Sequence, residues 1–123
     1  MSCLRQSLRA GAVALVAAAV MTTSSFAAPR YDGMWSVSIV TKKGDCIASY
    51  RYPMRIANGV LANAGAIAID VSGSVAPSGV VKVRVSHGDQ HAAGFGRLSG
   101  NAGSGSWSGA SCSGLWTAER RSL

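Results

Sequence analysis

From residue 35 onward, apolar and polar positions alternate with a period of two, the spacing of a half-buried β-strand. Trp35, Val37 and Ile39 alternate with Ser36, Ser38 and Val40. A charged turn, Lys42-Lys43-Gly44-Asp45, follows. Cys46, Ala48, Tyr50 and Tyr52 then share the next face, which closes at Pro53. Met54 and Ile56 lead into Asn58-Gly59, a strong hairpin signal because both residues tolerate positive φ. Residues 60–64 and the series Ile67, Ile69, Val71 continue the pattern, with Gly65 as a break. The cleanest strand covers residues 80–86: Val81, Val83 and Val85 point one way, Lys82, Arg84 and Ser86 the other. Gly88-Asp89 turns the chain, and Ala93, Phe95 and Arg97 extend beyond it. Residues 100–105 read as a Gly/Ser/Asn turn before Trp107. The last strand starts at Cys112 and runs through Gly114 and Trp116 to Ala118.

About eight short strands at this spacing predict an all-β domain, a single antiparallel meander folded as a barrel or a sandwich. No helical periodicity of useful length occurs after residue 28. Ahead of it, Arg5 and Arg9 precede a charge-free apolar run at residues 10–21, and Ser25-Phe26-Ala27 sets small residues at a cleavage site. That order is the order of a secretory signal. A run of this length rises only ~18 Å as a helix against a hydrocarbon core of ~30 Å, too short to span. The expected organisation is a signal peptide at 1–27 and one all-β domain at 28–123, periplasmic or secreted, with no membrane span after cleavage.

Composition narrows the classes further. The 123 residues allow one domain, and 48% hydrophobic against 14% charged residues excludes a disordered polyelectrolyte. Loss of the leader removes Cys3 and leaves Cys46 and Cys112. In an oxidising compartment two cysteines predict one disulfide, whose long loop stabilises by roughly 4 kcal/mol on the chain-entropy model.

The triplet G-x-W occurs three times, at Gly33-Met34-Trp35, Gly105-Ser106-Trp107 and Gly114-Leu115-Trp116, and Arg120 and Arg121 follow the last. In this the chain resembles the calycin barrels: lipocalins, avidins and small bacterial protease inhibitors. The resemblance implies a barrel whose early Trp plugs a closed end under a late cation, and it implies an inhibitor of a secreted hydrolase as one function. Residues 31–121 also resemble short exported bacterial proteins, through the Gly/Ser run ending in Trp107 and Cys112-Ser113-Gly114-x-Trp116-x-Ala118-x-Arg120. That second resemblance carries no chemistry with it.

Candidate chemistry is sparse. His87 and His91 bracket Gly88-Asp89-Gln90, and a three-residue hairpin would face them as half of a zinc or copper site. No third ligand accompanies them, so no metal and no cofactor is expected. Paired cysteines leave no Cys-His couple, there is no G-x-S-x-G elbow, and the serines occupy turn-like sequence, so no catalytic residue stands out and the chain does not read as an enzyme. An unrecognised hydrolase is the least favoured function. The formal charge of +7 points instead to anionic partners. Lys42, Lys43, Tyr50, Arg51, Tyr52, Lys82 and Arg84 form the candidate binding surface, with Tyr50-Arg51-Tyr52 interleaving aromatics and a cation. The expectation is a binding domain for a protein or an acidic envelope polymer, with no nucleic acid as partner.

Overall fold

The computed structural model describes residues 30–123, so the expected signal peptide lies outside the described residues. Eight strands follow in chain order: β1 (Gly33–Lys43), β2 (Ser49–Ala57), β3 (Val60–Asn63), β4 (Asp70–Val75), β5 (Val80–His87), β6 (Gln90–Ser99), β7 (Ala102–Gly109) and β8 (Ser113–Ser122). Each pairs antiparallel with the next, and β8 returns to β1, which closes the meander into a barrel. A barrel leaves no unpaired strand edge, and this settles the choice between barrel and sandwich. Closure runs the full length of β1: Trp35 pairs with Arg120, Val37 with Ala118 and Ile39 with Trp116.

The hairpins follow local chemistry. Asn58 and Gly59 both have positive φ (53° and 76°), the pair of values a type I′ turn requires. The Asp32 carboxylate accepts from the amides of Asn58 and Gly59, at 2.6 and 3.1 Å, and holds that turn against the start of β1. One expectation is corrected at β6–β7. The turn there is only Gly100-Asn101, and Gly103 and Gly105 lie inside β7. Glycine normally weakens a strand, but here Gly105 makes room for the Trp116 ring of the adjacent β8 and Gly103 for Leu98 of β6.

Period two sorts the strands into an inner and an outer face. Trp35, Ile56, Leu61, Val75, Val81, Leu98, Trp116 and Ala118 form a continuous buried core, with Val37, Ile39, Val71, Val83 and Trp107 packed against it. The outer face carries Ser36, Ser38, Ser72, Ser74, Lys82, Arg84, Ser104, Ser106 and Thr117. Apolar inside and polar outside is the reverse of a membrane-spanning barrel, whose lipid face is apolar.

Candidate binding site

Burial is graded along the barrel axis. At one end Tyr31, Trp35, Ile56, Val81 and Leu98 are buried, and Trp35 is 2% exposed. The Trp35 indole N–H donates to the Tyr31 carbonyl at 2.9 Å. Arg120 lies over the Trp35 ring at 5.2 Å from its centroid. Its guanidinium donates to the Asp32 carbonyl at 2.7 Å and to Asn101 Oδ1 at 2.9 Å. One side chain therefore ties the entering chain, the β6–β7 turn and β8 across the base, which closes that end. The early Trp under a late cation is as the G-x-W motif implied.

Two of the G-x-W motifs interlock. In the β7–β8 register Gly105 pairs with Trp116, and Trp107 pairs with Gly114. Each motif's glycine thus faces the tryptophan of the other. A Cβ on Gly105 would stand 2.7 Å from Trp116, and one on Gly96 2.6 Å from it. The Trp116 ring consequently lies flat on a glycine floor, its N–H donating to the Ser106 carbonyl at 3.1 Å. The Trp107 indole N–H donates to the Val40 carbonyl on β1 at 3.2 Å. Two large rings lie along the wall instead of filling the centre.

What remains at the centre is a cavity of about 150 Å³. Its lining includes Trp35, Val37, Ile39, Tyr52, Val83 and Trp107, and contains no carboxylate, imidazole, thiol or amine. The three indole N–H groups and the Tyr52 hydroxyl of its lining are already engaged. The Tyr52 hydroxyl lies 2.6 Å from Asn63 Oδ1 and 2.8 Å from the Ile67 carbonyl. Tyr50, 49% exposed, stands where the cavity opens toward the other end of the barrel. Around that mouth lie the loop at residues 44–48 and the segment at 64–69, which present Ile47 and Ile67 at 70% and 59% exposure.

The mouth is held by two devices. Cys46 and Cys112 are bonded, with Cα atoms 6.2 Å apart, which joins the β1–β2 loop to the β7–β8 loop. Cys46 lies in the loop before β2 and not on the strand. Between β3 and β4 the ladder reduces to the single pair Val60 and Ser74. Asn63 compensates there: its amide donates to the carbonyls of Ile67 and Ile69, and its Oδ1 accepts from the Gly65 amide.

The residues expected to form one binding surface are divided by the barrel wall. Tyr50 and Tyr52 point inward, opposite Ile39 and Val37, whereas Arg51 points outward beside Ser38. Lys82 and Arg84 are also outward, but on β5, which two strands separate from β2 on one side and four on the other. Lys42 and Lys43 end β1, exposed at the mouth. The structure instead surrounds Lys82 and Arg84 with two residues that the sequence had not singled out. Phe95 pairs with Lys82, and Arg97 lies two positions further along β6. Only the cross-strand register, which no local pattern encodes, brings them together.

The facing histidines are corrected. The β5–β6 turn has two residues, Gly88 and Asp89, so His87 pairs with Gln90 and His91 with Ser86. One register step sends the rings to opposite faces. His87 Nδ1 lies 3.2 Å from the Ala68 carbonyl at the mouth. Among the described residues no three His, Cys, Asp or Glu side chains gather at one point.

Fold and site together define an eight-stranded, disulfide-bonded antiparallel barrel, closed at one end, with an apolar cavity open at the other. Compared with known proteins, the chain matches no family model, no curated protein and no solved structure.

Proposed function

We propose that this protein is a binding module, not a catalyst, and that its barrel receives a small apolar molecule through the Tyr50 end. The observation that carries this is a cavity of about 150 Å³ whose lining is apolar. An engineered cavity of about that volume, lined by aliphatic and aromatic side chains, stays dry and takes benzene. The fitting ligand is therefore of single-ring size, such as an alkylbenzene, a monoterpene or the end of a short acyl chain. Larger drug-sized ligands occupy roughly 300–1,000 Å³. Resemblance to the calycin barrels agrees with this arrangement, and a disulfide-bonded barrel is compatible with an extracellular or periplasmic location.

Toluene titration tests the proposal, read by tryptophan fluorescence and by the thermal midpoint. Saturable quenching and a raised midpoint are expected, because a ligand that binds only the folded state stabilises it. Val83→Phe, which fills the cavity, should abolish both while the barrel stays folded. Equal responses from wild type and Val83→Phe would refute cavity binding.

The mouth also fits inhibition of a secreted hydrolase. Ile47 is 70% exposed beside the bonded Cys46, a tethered apolar contact of the kind a protease cleft accepts. Ile47→Asp should remove inhibition in a panel of secreted proteases and leave toluene binding intact.

A further inference from the structure

We infer that the outer wall formed by β4, β5, β6 and β7 is a second binding site, for an acidic polysaccharide. Its centre is Phe95, 56% exposed on a face where period two calls for a polar residue. Lys82 is its directly paired neighbour on β5, with a Cβ separation of about 5 Å for such pairs. Arg84 pairs with Ala93, one step along the same face, and Arg97 lies on the other side of Phe95. Three cations thus surround one exposed aromatic ring.

On β4 and β7, the strands to either side, every partner of this group is a short hydroxyl. Ser72 pairs with Arg84, Ser74 with Lys82, Ser104 with Arg97 and Ser106 with Phe95. No carboxylate occupies any position paired with the three cations. Among the described residues the single ion pair is Arg121 with Glu119, on β8. Arg97 makes one long contact, 3.4 Å, to the Ser78 carbonyl. Asp70 stands on the same face of β4, paired with Ser86 one step beyond Ser72, and makes no ion pair among the described residues. Three cations against one carboxylate leave the wall net positive, and its complement is an anion.

The surroundings select the class of anion. An exposed aromatic face is electron-rich and receives the electropositive C–H face of a pyranose ring. Lys82, Arg84 and Arg97 then stand around that sugar, placed to meet carboxylate or sulfate groups, and the serine rows offer donors and acceptors to its hydroxyls. Single-stranded nucleic acid is served less well, because successive bases need successive aromatic platforms and this wall has one. The compartments in which a disulfide persists also expose the chain to acidic glycans more than to nucleic acid. This site is on the outside of the barrel and independent of the cavity.

The test measures binding of the protein to dextran sulfate, polygalacturonate, neutral dextran and poly(dT) at two salt concentrations. Binding to at least one acidic glycan is expected, weakening as salt rises, with none to neutral dextran. Lys82→Ser with Arg84→Ser should weaken it at least about ten-fold, the worth of one charge-assisted hydrogen bond. Phe95→Ser, which removes the ring on which the sugar stacks, should also weaken it. Arg51→Ser with Arg55→Ser removes the same charge from another wall and should change it less than about two-fold. All these side chains point outward, and unchanged near-ultraviolet circular dichroism verifies folding. Failure of both acidic glycans to bind would overturn the proposal. So would equal losses in the two double variants, or tighter binding of poly(dT) at matched salt. None of these outcomes bears on toluene binding, which reads the cavity alone.

Discussion

The Arg120 guanidinium lies 5.2 Å from the centre of the Trp35 ring and donates 2.7 Å to the Asp32 carbonyl, so one cation both covers the basal tryptophan and fastens the chain that leads into β1. Desolvated cation–π contacts stabilise by up to about 2 kcal/mol, and hydrogen bonds from a charged donor by ~1.5–3 kcal/mol. Arg120→Ala should therefore cost about 2–4 kcal/mol in urea unfolding. Arg120→Lys should recover part of that, because an ammonium stacks on the ring but cannot span the same acceptors. Equal losses in the two variants would show that the forked geometry is immaterial.

Trp35 is the most deeply buried side chain of the base. Trp35→Ala removes a large aromatic from a site walled by Tyr31, Leu98 and Arg120, and should cost about 3–5 kcal/mol. Chemical denaturation monitored through Trp107 and Trp116 measures it. A cost under about 1 kcal/mol would mean that the base does not depend on its plug.

Gly105 and Gly96 exist as glycines because Trp116 lies on them. Gly105→Ala sets a Cβ 2.7 Å from the ring and against the Phe95 carbonyl oxygen, so the wall must bulge or the ring must leave. The expected loss is at or above the upper end of overpacking, about 3 kcal/mol, with toluene affinity altered because Trp116 then enters the cavity. Gly88→Ala is a useful contrast, since a Cβ there meets nothing within 4 Å. Its cost is confined to the positive φ of 63°.

The bond between Cys46 and Cys112 spans 66 residues of sequence. On the chain-entropy model a loop of that length stabilises by about 4 kcal/mol. Cys46→Ser with Cys112→Ser should lower the thermal midpoint accordingly, and reductant should do the same to the wild type but not to the double variant. Because both loops border the mouth, the midpoint shift produced by toluene should also shrink.

At the β3–β4 seam, side chains replace a ladder. Tyr52→Phe removes the hydroxyl that lies against Asn63 and Ile67, and a lost buried hydrogen bond costs about 0.5–1.5 kcal/mol. Limited proteolysis should then cut the 64–69 segment faster than any other loop. Unchanged cleavage there would mean that Asn63 alone holds the segment.

Much of the fold was legible along the chain. Period two identified the inward set Trp35, Val37, Ile39, Val81, Val83 and Val85, because one buried face forces alternation on a strand. Asn58-Gly59 announced its hairpin, because few residues other than Asn, Asp and Gly accept two successive positive φ values. The late Arg120-Arg121 pair after the last G-x-W marked the capped base, and the structure selects Arg120. Local pattern misled where glycine was concerned. Residues 100–105 have the composition of a turn, yet Gly103 and Gly105 continue a strand, because Leu98 of β6 lies against the first and Trp116 of β8 against the second. It misled again at His87 and His91, where a turn shorter by one residue puts the two rings on opposite faces.

The sequence by itself determined the strands, most of the turns, the inward and outward sides of each strand, and the two cysteines available to bond. Those properties come from nearest neighbours along the chain and from the need to bury one face. Only the tertiary structure decided that the meander closes, since β1 must find β8 across the whole length of the domain. It also decided that a cavity remains behind Tyr50 and Tyr52, and that Arg51 stands on another wall from Lys82 and Arg84. Finally, it set Phe95 among Lys82, Arg84 and Arg97. Cross-strand register depends on how every strand packs around the barrel at once, and no single stretch of residues carries that information.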